Sequence, residues 1–234
     1  MRTLVNLKLW VAIVLLVGGM SSCMDSEDSL NIYVQFPYTL QNDNGTFTPQ
    51  VRLYGYDLQS AYLDMAGKRF NFSARNEIAW EIKSDLYAEQ LDSIPYGYYT
   101  ITAMNTTGKT GTLSIGFPES NKKIGEINLS TFEYDADNKK IQIELADSVQ
   151  NASLYYLMVK QPILSNGGTT SNYSMWIPYS TKNLTLTGDR KLSAEVELTE
   201  IVEGKYYFAL GAAYNATIKI SDYIIVEIPA TPSN

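Results

Sequence analysis

The chain has 234 residues, a net charge of −7, one cysteine and no histidine. This acidic balance disfavours nucleic acid as a partner, because phosphate binding needs clustered Lys and Arg. The lack of histidine excludes Ser-His-Asp and Cys-His catalysis and the usual His/Cys zinc sites. A carboxylate-pair hydrolase, a Ser-Lys nucleophile or an oxygen-ligand calcium site stays compatible with the composition.

The first residues have the pattern of a secretory signal. Arg2 and Lys8 precede an apolar run over residues 9–17, followed by small residues up to Cys23. A helix needs about 20 apolar residues to span a bilayer, whereas the apolar part of a signal peptide needs about 7–15. We therefore expect a cleaved signal peptide over residues 1–22. An uncleaved anchor is the alternative.

The segment Met20-Ser21-Ser22-Cys23 resembles the lipobox of bacterial lipoproteins. The resemblance implies that Cys23 becomes the lipidated first residue of the mature chain, with palmitate-type acyl chains that hold it to the outer membrane. The usual leucine-like residue is replaced by Met20. Removing Arg2 and Lys8 with the signal changes the net charge from −7 to −9.

We expect residues 23–29, which begin with the cysteine, to form a lipidated acidic tether. Asp25, Glu27 and Asp28 are similar to the export signal that carries Bacteroidetes lipoproteins to the outer face of the outer membrane. The resemblance implies a lipid-anchored protein exposed at the cell surface. The alternative is a solvated tether without routing information, which leaves open whether the protein faces the periplasm or the outside.

From residue 30 onward the alternation of apolar and polar residues predicts an all-β protein. We expect two β-sandwich domains, residues 30–130 and 131–234. In the first, residues 42–45 form a turn and a short helix covers 84–91. The predicted strands of this domain are 30–36, 51–56, 77–83, 97–103, 111–115 and 123–129.

The second domain begins with a turn at Asp135–Asn138. These residues also resemble the start of a calcium loop, but Lys139 and Lys140 follow where oxygen ligands and a glycine are needed, so a hairpin is favoured. A Gly- and Thr-rich loop covers 165–170. The predicted strands are 141–145, 154–160, 173–179, 184–187, 192–198, 205–213 and 223–228.

Two segments share a glycine followed by a Tyr-Tyr pair, at 94–103 and 202–212. In a strand one tyrosine of each pair faces inward and its neighbour outward. The first segment resembles the L-P-x-G-x-Y strand of transthyretin-like sandwiches. The second resembles the strand F corner of fibronectin type III domains, which implies a tyrosine corner closed by a hydroxyl bond to the backbone.

The lipobox, the tether and the strands at 30–36, 51–56 and 94–103 together resemble the accessory and anchor lipoproteins of Bacteroidales fimbriae. That resemblance implies two transthyretin-like domains and surface protein subunits as partners. The fibronectin-like second half is instead similar to polysaccharide-binding surface lipoproteins of glycan-utilisation systems. We expect a non-catalytic binding or assembly module without cofactor or metal, while an accessory of a carboxylate-based glycoside hydrolase is a weaker alternative.

The clearest candidate ligand site is the aromatic segment after the glycine loop, with Asn172, Tyr173, Trp176 and Tyr179. Sugars stack their C–H faces on aromatic rings and form hydrogen bonds with amides. The alternative is that Trp176 fills the core of the second sandwich as Trp80 fills the core of the first. The sequence favours the core and leaves both alternatives open.

Overall fold

A computed structural model describes residues 30–82, 89–120, 122–160, 162–163, 172–173, 175–180, 184–185, 192–199 and 204–228. The regular structure in these residues is entirely β, which confirms the predicted all-β class. None of them forms a helix long and apolar enough to cross a membrane. The predictions for residues 1–22, Cys23, Asp25, Glu27 and Asp28 lie outside the described residues.

The strands have the following bounds in the described part of the chain. They are β1 Ile32–Gln41, β2 Phe47–Gly55, β3 Leu58–Met65, β4 Lys68–Ala74, β5 Ala79–Ile82, β6 Gly97–Asn105, β7 Thr110–Phe117, β8 Leu129–Asp135, β9 Lys140–Leu145, β10 Leu154–Lys160, β11 Pro162–Ile163, β12 Asn172–Tyr173, β13 Ile177–Pro178, β14 Leu192–Glu197, β15 Gly204–Tyr214 and β16 Thr217–Ile228.

The first half of the protein is a curled sheet closed around one core. Its strands follow the order β1-β2-β5-β4-β3-β6-β7, and β7 returns to contact β1. Alternation decides which side chains point inward. In β3, for example, Ala61, Leu63 and Met65 alternate and are buried, and Leu58 is buried too, beyond an irregularity in the pairing between Leu58 and Ser60. They pack with Phe47, Val51, Leu53, Ile101 and Ile115 in the first core.

The second half is a sandwich of two sheets. One side of the sandwich consists of neighbouring strands in the order β13-β10-β15-β16, and the other side is a three-stranded sheet in the order β14-β9-β8. The alternating Ile141, Ile143 and Leu145 of β9 face Phe208 and Leu210 of β15 in the second core. Burying each such side chain contributes about 1.5–3 kcal/mol.

The first strand joins the two halves. β1 pairs antiparallel with β2, and its end pairs in parallel with β16 through Thr39–Thr217, Leu40–Ile218 and Gln41–Lys219. One 11-stranded sheet therefore runs through both predicted domains. The domain boundary at residues 130 and 131 stays a prediction.

Several strand predictions were wrong in detail. Residues 123–128 form no strand, because the Gln41 side chain pairs with the backbone of Ile124: Gln41 Nε2 donates to its carbonyl at 2.8 Å and Gln41 Oε1 accepts from its N–H at 2.9 Å. The described end of the predicted helix, 89–91, is not helical. Leu91 instead exchanges two backbone hydrogen bonds with Phe47. The other residues of that helix, 83–88, lie outside the described part.

The predicted strand over 173–179 is broken in the described residues, where Asn172–Tyr173 pairs with Pro162–Ile163 and Ile177–Pro178 pairs with β10. Residues 184–185 are not in a strand either. The hairpin of β3 and β4 was not predicted. Its two-residue turn is Ala66-Gly67, with φ of 50° and 76°, a conformation for which Asn-Gly is the usual signal.

The two glycine corners have the backbone that the repeat predicts. Gly97 and Gly204 have φ of 107° and 143°, values that favour glycine. Beside Gly97, the hydroxyl of Tyr99 donates to the carbonyl of Tyr96 at 2.8 Å and closes a tyrosine corner. In the second pair, Tyr206 lies in the second core and Tyr207 points to the opposite face of the sheet.

Candidate functional site

The sheet formed by β10, β15 and β16 has an outer face, defined as the face turned away from β14-β9-β8. Alternation in β15 sends Phe208 inward and leaves Tyr207 and Ala209 on the outer face. Strand register then places Tyr207 between Lys160 of β10 and Ile225 of β16. The outer face therefore collects side chains from residues that are far apart in the sequence.

Three aromatic rings surround one ammonium group on this face. The Nζ of Lys160 lies 4.6 Å from the ring centroid of Trp176, 5.5 Å from that of Tyr223 and 5.7 Å from that of Tyr207. We call these four residues the aromatic–lysine cluster. Tyr223 is 53% exposed, whereas Tyr207 is 7% exposed. Tyr223 thus forms the accessible rim and Tyr207 the floor.

Burial lowers the pKa of the Lys160 ammonium from its ordinary value, because desolvation disfavours the charged form. The surrounding ring faces offset part of that cost, since a cation over an aromatic face gains about 0.5–2 kcal/mol. The cluster therefore holds a partly desolvated cation next to an exposed ring.

Trp176 is held in place from the first half of the protein. The hydroxyl of Tyr38 donates to the carbonyl of Trp176 at 2.6 Å. The preceding residue, Met175, is 2% exposed, and its N–H donates to Oε2 of Glu81 at 2.8 Å. Both contacts are made to the backbone, so β1 and β5 position the main chain at Met175 and Trp176.

Glu81 lies in a buried ion pair. Its Oε1 accepts from Nε of Arg52 at 2.8 Å and from Nη2 at 2.5 Å, and the two residues are 5% and 6% exposed. Arg75 adds a third contact at 3.3 Å. Burial, followed by the charge of Glu81, raises the pKa of Tyr38, which keeps this hydroxyl protonated as a donor. We call Tyr38, Arg52, Glu81 and Met175 the junction cluster.

The predicted site residues fall into three environments. Trp176 is half-buried beside Tyr38, Met158 and Met175, and is a member of neither sandwich core. Tyr179 packs on Phe208 with ring centroids 6.0 Å apart, so it points into the second core. Trp176 and Tyr179 therefore do not form one platform. For Asn172 and Tyr173 the structure describes the backbone pairing alone.

Sequence reasoning missed Lys160, Tyr207 and Tyr223. The outward position of Lys160 could have been read from the alternation of β10, in which Leu157 and Val159 face the core. The register that places Lys160 opposite Tyr207 could not be read in the same way, because it depends on pairing between distant strands.

A second feature lies at the edge of the same sheet. β15 pairs with one edge of β16, and β1 pairs with the other edge at Thr217–Lys219. Beyond Lys219, no described strand pairs with this second edge. We call residues 222–228 of this edge the open edge. An open groove of about 460 Å³ lies between Asp222–Ile224 and residues 127–132, which are the start of β8 and the two residues before it. Its apolar and aromatic lining consists of Ile127, Leu129, Phe132, Tyr223 and Ile224.

In the described residues no three or more His, Cys, Asp or Glu side chains come together in a group that could hold a metal ion. No protein-family model matches the sequence, and no curated protein matches it.

Proposed function

We propose that the protein is a non-catalytic, lipid-anchored surface module that accepts an extended strand of a partner subunit along the open edge of β16. The observation that carries the proposal is the end of β16, which continues past β1 without a described neighbour. An unpaired strand edge offers a row of N–H and C=O groups to an incoming chain.

The groove beside the open edge supplies selectivity. Every second side chain of an added strand would point toward the second core, because side chains alternate between the faces of a sheet. These side chains would meet Ile127, Leu129, Phe132 and Ile224. Backbone bonds provide affinity in strand addition, and pockets for alternate side chains provide register. The proposed partner segment is therefore extended and apolar at alternate positions.

Two segments that flank the described strands do not have that composition. Residues 25–28 are mainly acidic, and residues 229–232 contain Pro229 and Pro232, which lack the N–H that a strand ladder requires. We therefore propose a different surface protein as the donor of the strand. The Cys23 lipid and the acids at 25, 27 and 28 would hold this protein at the outer membrane.

Site-specific cross-linking tests this proposal. A lipidated Cys23 has no free thiol, so Asn128→Cys at the groove would introduce a single reactive cysteine. We expect a thiol-reactive cross-linker on whole cells to give a discrete larger species with Asn128→Cys. The matched control is Ser60→Cys, an exposed position on β3, whose two edges are paired with β4 and β6.

A substitution that fills the groove provides a second test of the proposal. Asn128→Trp places a large side chain at the groove, and we expect it to abolish capture of the partner while Tm stays within about 2 °C. A discrete species at Ser60→Cys as strong as that at Asn128→Cys would contradict the proposal. So would unchanged partner capture by Asn128→Trp.

A further inference from the structure

We propose that exposed side chains where β6 begins and β7 ends bind a neutral polysaccharide, with one sugar ring stacked on Tyr98. We call Tyr96, Tyr98, Thr100 and Ser114 the tyrosine patch. The patch lies in the first half of the protein and shares no residue with the groove beside the open edge. The inference therefore does not depend on strand addition.

The ring of Tyr98 is supported by a glycine on the neighbouring strand. Tyr98 of β6 pairs with Gly116 of β7. A Cβ at residue 116 would lie 3.0 Å from Cε1, 3.3 Å from Cδ1 and 3.7 Å from Cζ of this ring. The ring therefore occupies the space that a side chain at residue 116 would take, as aromatic residues opposite a glycine in a sheet often do. One side of the ring rests on β7, while 81% of Tyr98 stays exposed.

The backbone that carries both exposed tyrosines is fixed by Tyr99. The hydroxyl of Tyr99 donates to the carbonyl of Tyr96 at 2.8 Å and accepts from the N–H of Tyr96 at 3.3 Å. The Tyr99 ring packs against Phe117 with centroids 6.1 Å apart, which connects the corner to the first core. Tyr96 itself is 66% exposed. Because the corner is already ordered, a ligand that stacks there pays little additional ordering entropy.

Hydroxyl groups lie beside the Tyr98 ring on the same face. Side chains two positions apart in a strand share a face, so Thr100 follows Tyr98 at about 6.8 Å along β6. Ser114 pairs with Thr100, and both residues are exposed. Sugars combine flat C–H faces with hydroxyls at the ring edge. The aromatic ring therefore supplies a stacking surface, and the two hydroxyls supply hydrogen-bond donors and acceptors.

The charges beside the patch favour a neutral ligand. Asp64 of β3 pairs with Thr100, and its carboxylate accepts two hydrogen bonds from Arg69, at 2.8 Å and 3.0 Å. The hydrogen bond from Arg69 lowers the pKa of Asp64, so both groups stay ionised and their charges offset each other. The net charge of −7 also disfavours a polyanion. A ligand at the patch therefore meets polar groups without an excess of either charge.

The composition of this face favours a saccharide over a protein partner. The aliphatic side chains of the two strands, Ile101, Ala103 and Ile115, point into the first core. The centres of protein interfaces are mainly apolar, at about 65% of their area. The tyrosine patch instead presents aromatic rings and short hydroxyls, which match the mixed surface of a sugar.

Native affinity electrophoresis of the full-length protein in mild detergent tests the inference. The gels contain glucomannan, arabinoxylan, dextran or laminarin, which are neutral, and polygalacturonate is the charged comparison. We expect at least one neutral polysaccharide to retard the protein. Polygalacturonate should bind at least tenfold more weakly than that polysaccharide.

Three variants separate the ring, its support and the hydroxyl. Tyr98→Ala should weaken binding at least tenfold, whereas Tyr98→Phe keeps the ring and should bind within about twofold of the unmodified protein. Gly116→Ala keeps the ring but places a Cβ 3.0 Å from it, so the ring must move and binding should weaken. Thr100→Val should weaken binding about two- to tenfold, the range expected for one hydrogen bond.

The control variant is Tyr56→Ala, which removes a tyrosine that is 75% exposed. Tyr56 precedes β3, whose Leu58 pairs with Asn105 at the other end of β6. This substitution should leave binding unchanged. The melting temperature of every variant is measured alongside, and Tyr98→Ala should stay within about 2 °C of the unmodified protein because the lost side chain is exposed.

Three results would overturn the inference: no retardation by any neutral polysaccharide, retardation by polygalacturonate alone, or equal losses in Tyr98→Ala and Tyr56→Ala. Cross-linking at Asn128→Cys should be unchanged by Tyr98→Ala. Loss of the cross-linked species in Tyr98→Ala without any saccharide binding would assign the patch to a partner protein and would also count against the inference. Failure of the saccharide site is therefore distinguishable from failure of strand addition.

Discussion

Replacing Glu81 with alanine should destabilise the protein more than other single changes at the junction. The substitution leaves the guanidinium of Arg52, which is 6% exposed, without its carboxylate. Removing one partner of a buried ion pair costs about 3–5 kcal/mol. It also removes the acceptor of the Met175 N–H. A loss of this size lowers Tm by roughly 10 °C in a protein of 234 residues.

Scanning calorimetry and urea unfolding of the purified protein measure this loss. Two controls identify its cause. Glu81→Gln keeps an acceptor for Met175 and removes the charge, whereas Arg52→Met with Glu81→Met removes both charges and replaces them with apolar groups. Because paired removal leaves no buried charge, the double variant should recover at least half of the stability lost in Glu81→Ala. If the double variant is as unstable as Glu81→Ala, the buried charge is not the cause.

Three further changes test separate features. Burial and a nearby carboxylate raise the pKa of Tyr38, so its contribution to stability is complete below about pH 10 and is lost as pH rises beyond it. Urea unfolding at increasing pH should therefore show a smaller loss of stability above this pH in Tyr38→Phe than in the unmodified protein. The same pH dependence in both proteins would contradict this. Gly211→Ala would place a Cβ 2.7 Å from Cγ of Met158 and should cost about 1–3 kcal/mol, whereas an unchanged Tm would show that Met158 moves freely. Tyr99→Phe removes the hydrogen bond from the Tyr99 hydroxyl to the Tyr96 carbonyl and should lower the free energy of unfolding by about 0.5–1.5 kcal/mol. If this bond stabilises the corner, amide hydrogen exchange there should also become faster.

Sequence reasoning succeeded where short-range alternation decides the structure. β9 and β14 lie where the sequence predicts them, because Ile141, Ile143 and Leu145 repeat with a period of two. Sequence reasoning failed where a turn has an unusual residue. Ala66 adopts a positive φ in the β3–β4 turn, a backbone conformation that residues other than Gly, Asn and Asp rarely adopt.

The candidate site was harder to predict because it depends on strand register. Lys160, Tyr207 and Tyr223 come from three strands, and their pairing is decided by the whole sheet. Glu81 is one of several acids in the first half, and nothing local shows that it lies opposite Arg52. The sequence does predict, in contrast, that Trp176 and Tyr179 lie on opposite faces. They are three positions apart, and side chains an odd number of positions apart point to opposite sides of an extended chain.

The parallel pairing of β1 with β16 has a consequence for folding. β1 obtains its second neighbour from β16, so this pairing cannot form until residues 217–219 are available. Contacts between residues so far apart in sequence slow folding, because loop closure must precede their stabilisation. A chain that is synthesised from its amino end would therefore acquire this strand pair late. Loss of β16 would remove one side of β1 as well, and would weaken both halves together.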